Sequence, residues 1–362
     1  MYNDHFLDKK LNERRAQNAF RSLTVVKKKI DFCSNDYLGI VHHGLLNTHN
    51  PEAKHGSTGS RLLTGNSALF ELAESQIANF HKGESAIIFN SGYDANVGLL
   101  SSIAQKGDTV VYDQLVHASI RDGIRLSFAQ SFSFEHNNPA DLEKKLATAT
   151  GNIFVVSESV FSMDGDICPL ENILAVVNKY NAHLIIDEAH AIGVIGEQGE
   201  GLSQALQLHG QCFARVYTFG KACGCHGAVI VGSNRLKDYL INFSRSIIFT
   251  TALPEVAIQA IIKSYEIFPY LISERVHLKE LIKQFQTSRT QHSRLISETP
   301  IQGIMVPGNC EVKVIAATLQ QHDFDVRPIL YPTVPKGKER LRIILHAYNS
   351  KQELGLLLKL LA

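Results

Sequence analysis

Between residues 85 and 231 the chain alternates short apolar, β-branched runs with amphipathic segments, and this alternation leaves very few folds open. The runs are SAIIF (85–89), DTVVY (108–112), SFSFE (131–135), IFVVS (153–157), HLIID (183–187), RVYTF (215–219) and AVIV (228–231). Helical patterns follow them over 96–104, 119–127, 141–147 and 171–180, and from about residue 235. Strands apolar along their whole length are buried on both faces. Joining them through helices makes neighbouring strands parallel. The expected core is therefore an α/β layer: a mostly parallel sheet flanked by helices.

After about residue 247 the pattern changes. A long helical stretch covers 255–287, and short strands and helices follow, including the alternating run at 340–345. This reads as a smaller α+β C-terminal domain. The expected division is an N-terminal arm or helix over 1–45, a large ligand-binding domain over 46–246 and a small domain over 247–362.

Charge narrows the function. The 362 residues carry a formal net charge of +1, with both signs spread along the chain. No basic face is dedicated to nucleic acid or to a membrane surface. No apolar run is long enough to span a bilayer. The first fifteen residues lack the apolar stretch of a secretory signal, so a cytoplasmic location is expected. The six cysteines are too few for a disulfide framework in a chain of this length. Cys223 and Cys225 form a lone C-x-C, and the sixteen histidines make no H-E-x-x-H, so no metal is expected.

Chemistry-bearing residues cluster where strands end. Lys221 follows the run RVYTF inside a small-residue loop, FGKACG. Open α/β sheets bind ligands at strand C-termini. A lysine shielded there can lose its proton and act as a nucleophile. Asp187 ends HLIID; a buried carboxylate needs a partner, and a protonated pyridine nitrogen is one. His190 lies three residues on, placed to orient Asp187 or bond a ring oxygen. In FNSGYDANV, Gly92 and Tyr93 would open a helix whose N–H groups favour a phosphate. His117 opens a further helix and could lie flat on a pyridine. Ser162, in ESVFSMDGD, could donate to a ring hydroxyl, and Asp164-Gly165 reads as a turn. The string DEAH also occurs in helicase-type ATPases, but such an enzyme needs G-x-x-x-x-G-K-[ST], which this chain lacks.

Together SNDYLG (34–39), HGSTGSRLLTGN (55–66), SGYDAN (91–96), HAS (117–119), ESVFSMDGD (158–166), DEAHAIGVIGEQGEG (187–201), TFGKACG (218–224) and PTVP (332–335) followed by RLRI resemble the α-oxoamine synthases. These are fold-type I transferases dependent on pyridoxal 5′-phosphate (PLP), and the resemblance spans nearly the whole chain. It implies that Lys221 carries PLP as a Schiff base and that Asp187 pairs with the pyridinium nitrogen. It implies that His117 stacks on the ring and that His190 lies near the ring oxygen. Gly92, Tyr93 and Thr218 would hold the phosphate, with Glu158 and Ser162 among the cofactor contacts. Thr250 and Thr251 would reach the phosphate of a neighbouring subunit in a homodimer with shared sites. Asn35 and Arg342 would hold the amino-acid carboxylate, with Thr333 also in the substrate site and Arg21 near the acyl group.

Members of this family condense an amino acid with an acyl thioester. The glycine-rich segment and ERRAQNAFR (13–21) are most similar to the member joining L-alanine to a pimeloyl group, carried by CoA or a carrier protein. The alternatives are glycine with acetyl-CoA or succinyl-CoA, serine with a long acyl-CoA, or an aminotransferase on the same fold. In one place the chain departs from many relatives. Leu330 stands where they carry arginine, and the nearest arginine is Arg327.

Overall fold

A computed structural model describes residues 2–25, 28–47 and 54–362. It divides into two compact units. The larger comprises residues 36–162 and 167–275, and the smaller comprises residues 1–35, 163–166 and 276–362.

The strands in chain order are β1 (Ile30–Asp31), β2 (Ser85–Phe89), β3 (Thr109–Asp113), β4 (Gln130–Phe134), β5 (Ile153–Glu158), β6 (His183–Asp187), β7 (Ala214–Thr218) and β8 (Ala228–Gly232). The last four are β9 (Ile301–Met305), β10 (Phe324–Asp325), β11 (Arg327–Ile329) and β12 (Arg340–Ile344).

In the larger unit seven strands form one sheet in the order β2-β8-β7-β6-β5-β3-β4. The pairs from β7 to β4 are parallel. β8 runs antiparallel to both its neighbours, so it alone is reversed. The pattern of burial follows from this geometry. Ile87, Val110, Val156, Ile185, Val216 and Ile230 form one cluster with Leu99, Leu100 and Ile103 of the helix Gly92–Ile103. The alternate residues Ile88, Val111, Val155, Ile186 and Val229 are buried as well. Both faces are covered, as wholly apolar strands require. β4 lies at the edge, and four of its five residues are exposed.

The helical stretch expected over 255–287 is two helices, Glu255–Ile267 and Ile272–Thr287. Between them Phe268–Tyr270 tightens to a 3-10 turn around Pro269, which has no N–H to continue the ladder. The helix Glu255–Ile267 packs on Ala68–Phe80, and Phe80 meets Phe268 edge-to-face at 5.4 Å. This helix therefore belongs to the larger unit. The sequence had placed it in a small domain starting at residue 247. The N-terminal segment likewise ends at Asn35 in the smaller unit rather than at residue 45.

In the smaller unit β1 pairs in parallel with β10, and β11, β12 and β9 form an antiparallel sheet. The turn at Asp164-Gly165 is held within this unit: Gly165 O accepts from Ser297 Oγ at 2.7 Å and Thr299 Oγ1 at 2.9 Å. Gly165 has φ +75°, and a Cβ there would meet Ile301 O at 2.1 Å, so only glycine fits. The last helix, Lys351–Leu361, opens with a capping box between Ser350 and Glu353. Among the described residues no helix is long and apolar enough to cross a membrane.

Candidate active site

Parallel strands deliver their C-terminal ends to one edge of the sheet, and eight of the residues singled out from sequence meet there. Gly92, Tyr93, His117, Glu158, Asp187, His190, Thr218 and Lys221 line one cavity of about 170 Å³ in the larger unit.

Lys221 sits in the loop joining β7 to β8. Because β8 is reversed, that loop is a hairpin connection. Phe219 N donates to Gly227 O at 2.9 Å, Cys225 N to Phe219 O at 2.9 Å and Gly224 N to Lys221 O at 2.9 Å. Gly224 takes φ +65°, and its missing Cβ leaves room for Ile40. The Lys221 amine is thus carried on a fixed backbone, with Nζ 2.6 Å from His190 Nε2.

Asp187, the last residue of β6, is only 6 % exposed. Its Oδ2 accepts from Asn96 Nδ2 at 2.8 Å and its Oδ1 from Ala189 N at 2.9 Å. Asn96 also donates to Ser119 Oγ at 3.0 Å. Asn96 therefore helps to orient Asp187. His190 turns its ring nitrogens to Lys221 and to the Tyr37 hydroxyl, 2.6 Å from Nδ1. Sequence reasoning missed Asn96, Ser119 and Tyr37.

His117 caps the helix Ala118–Leu126, accepting from Ser119 N at Nδ1 (3.2 Å), with Ser119 Oγ 2.7 Å away. Burial lowers its pKa, and the Lys221 charge adds to this, against the pull of Asp187 and Asp122. Glu158 accepts from His117 N. Burial, then the charge of Asp187, pushes its carboxyl up to about 8, so at neutral pH it is mostly protonated.

At the phosphate end, Ser91 caps the helix Gly92–Ile103 by accepting from Asp94 N at 3.1 Å. Gly92 and Tyr93 occupy the first turn, where N–H groups have no intrahelical acceptor. A Cβ on Gly92 would meet Thr218 Oγ1 at 3.4 Å, which places Gly92 beside that hydroxyl. Thr218 itself is 8 % exposed at the end of β7.

Ser162, Thr250 and Thr251 are not among the residues lining this cavity. Thr250 lines a separate small cleft with Arg61 and Asn90. Its Oγ1 donates to Ser246 O at 2.7 Å, and Thr251 O accepts from Asn90 Nδ2 at 2.9 Å.

In the smaller unit, Arg342 donates to Asn35 Oδ1 at 3.0 Å, and Arg21 donates to Thr333 Oγ1 at 3.0 Å. The four substrate candidates thus fall into two bonded pairs. Arg327 is the arginine nearest to Leu330 in the chain. Its guanidinium is held by Asp325 (2.7 and 3.3 Å) and by Thr24 Oγ1 (3.3 Å).

The donor set fits PLP. A carboxylate held by two donors suits a pyridinium nitrogen, a lysine amine suits an aldehyde, and first-turn N–H groups with a threonine hydroxyl suit a phosphate.

Comparison with known proteins agrees. Residues 27–361 match the family model for aminotransferase class I and II. The chain is 39% identical to an 8-amino-7-oxononanoate synthase of Emericella nidulans, over 97% of this chain and 93% of that one. It superposes on a serine palmitoyltransferase from S. paucimobilis, solved with PLP and myriocin bound, with a TM-score of 0.91. That match is 25% identical and covers 100% of this chain and 98% of the other. It also superposes on 8-amino-7-oxononanoate synthase from Francisella tularensis, with a TM-score of 0.77 and 28% identity, covering 92% and 96%. With the fold, the lysine–carboxylate cavity and these likenesses in agreement, this chain belongs to the aminotransferase class I and II family and, within it, to the α-oxoamine synthases.

Proposed function

We propose that this chain is a PLP-dependent acyltransferase that condenses L-alanine with a pimeloyl thioester, with loss of carbon dioxide. The product is 8-amino-7-oxononanoate, a step of biotin synthesis. The observation that carries the reading is the meeting of Lys221 and Asp187 on one cavity, in a chain 39% identical to an 8-amino-7-oxononanoate synthase.

Bound in this cavity, PLP supplies an electron sink for a carbanion at the amino acid's Cα. Asp187, held by Asn96 and Ala189, keeps a proton on the pyridine nitrogen, which keeps that sink open. Lys221 anchors the cofactor, and its freed amine takes the Cα proton and later returns one. His190, at 2.6 Å, is the near partner through which that amine exchanges protons. Glu158, protonated at neutral pH, supports the His117 turn without adding a second negative charge beside Asp187. Gly92, Tyr93 and Thr218 take the phosphate. By the family resemblance, Arg342 and Asn35 would bind the alanine carboxylate, and Arg21 and Thr333 the acyl group. Thr250 and Thr251 complete the site of a partner in a homodimer; an active preparation with the mass of one chain would contradict this.

Serine palmitoyltransferase matches the backbone at least as well, but backbone shape is common to the family. Sequence identity favours the alanine enzyme, 39% against 25%. The deciding experiment supplies alanine with pimeloyl-CoA and identifies the product by mass spectrometry. Glycine with acetyl-CoA and serine with palmitoyl-CoA serve as competitors. Alanine with pimeloyl-CoA should give 8-amino-7-oxononanoate with the highest kcat/KM. Faster turnover of either other pair would overturn the assignment.

A further inference from the structure

Tyr37 follows Asn35 by two residues, in a motif whose expected role belonged to Asn35 alone. Its ring is fully buried, and its hydroxyl lies 2.6 Å from His190 Nδ1. On the other edge of that imidazole, Nε2 lies 2.6 Å from Lys221 Nζ. Hydroxyl, imidazole and amine therefore form one chain of contacts inside the larger unit.

We propose that Tyr37 is a positioning residue for the reaction: its hydroxyl holds His190 against Lys221 and exchanges donor for acceptor as the lysine amine loses its proton. The proposal rests on the reading of Lys221 as the PLP-linking amine.

The hydrogen-bond inventory dictates the exchange. A charged lysine ammonium can only donate, so Nε2 must accept, the imidazole proton sits on Nδ1, and the Tyr37 oxygen accepts it. A neutral amine can accept, so Nε2 can carry the proton and donate. Nδ1 then accepts from the Tyr37 hydroxyl. A tyrosine hydroxyl satisfies both states by rotating, because its O–H can donate and its oxygen can accept. Phenylalanine fills the same space and satisfies neither. Removing the oxygen takes the acceptor from a buried N–H in the charged state, and only a donor to a lone pair in the neutral state. Buried donors tolerate that loss less well than acceptors. Tyr37→Phe thus disfavours the charged amine. Among the described residues, the titratable groups that line the cavity with the pair are His117, Glu158, Asp187 and Tyr93, with Asp122 acting on His117 from the helix Ala118–Leu126. All of them stay in place in the variant.

The test follows PLP joining the full chain after hydroxylamine has removed the cofactor. The rate at which the visible absorbance appears is measured against pH. For Tyr37→Phe the midpoint should fall by about one pH unit, the size of one lost hydrogen bond. Ile40→Val, a buried change beside the Lys221 loop, should leave the midpoint unmoved. An unchanged midpoint in a folded Tyr37→Phe protein overturns the proposal. No linkage in the unmodified chain overturns the reading of Lys221, and the proposal with it. A measurement on the unmodified chain guards against a variant that fails to fold. The nitrogen-15 shifts of His190 should place the proton on Nδ1 below the midpoint and on Nε2 above it. A proton fixed on one nitrogen throughout refutes the exchange.

Discussion

Single residues in the cavity divide the ionic work between them. Asp187 has two donors and serves as the fixed charge; Glu158 has one backbone donor, lies near Asp187 and is pushed up to about 8. The sign of the consequence is definite. The unfolded chain releases this proton near 4.5, while the folded protein keeps it until about 8. The stability linked to Glu158 is present below pH 4.5 and is lost as pH rises through about 8. Glutamine has the same shape and no proton to lose. Glu158→Gln should therefore gain on the unmodified protein as pH rises across that window. Urea unfolding of the cofactor-free proteins at about pH 5 and about pH 8.5 measures it. A stability difference that does not change with pH would contradict the account.

Lys221 and Asp187 were legible in the sequence because Asp187 ends, and Lys221 follows, a strand long enough to recognise. Asn96 lies one helical turn after Gly92, on the same helix face, and that spacing is its signal in the sequence. Tyr37 carried none, since its contact with His190 joins residues far apart in the chain.

At the scale of elements, the helix Gly92–Ile103 serves core and site together. Leu99, Leu100 and Ile103 pack on the sheet, while its first turn opens on the cavity. Ser91 fixes where it begins, accepting from Asp94 N and donating to Asp94 Oδ2 at 2.7 Å. Ser91→Ala should cost about 1 kcal/mol of unfolding free energy. It should also release PLP more readily on dilution, because the first-turn N–H groups fray. Unfolding curves and retained absorbance check the two effects, and a variant unchanged in both would contradict this role. The sequence located the sheet strands to within a residue or two, since apolar runs end sharply. It could not show the direction of β8, because AVIV reads alike in either sense. The hairpin link from Phe219 to Gly227 sets that direction, and with it the position of Lys221.

For the whole molecule, the change of pattern near residue 247 suggested a domain boundary, but contacts carry the larger unit on to Arg275. Ile258 and Ile261 are buried on the helix that packs against Ala68–Phe80. A hydrophobic period reveals that a helix has a buried face and does not name the partner of that face. The family motifs reached further than the periodicity did. They identified eight residues that line a single cavity, although those residues are scattered from Gly92 to Lys221. The proposed chemistry requires a bond between one of the chain's lysines and the aldehyde of PLP. Borohydride reduction of the purified, PLP-loaded protein fixes that bond, and peptide mass spectrometry locates it. The account predicts a pyridoxyl group on Lys221 alone; the label on any other lysine, or on none, would contradict it.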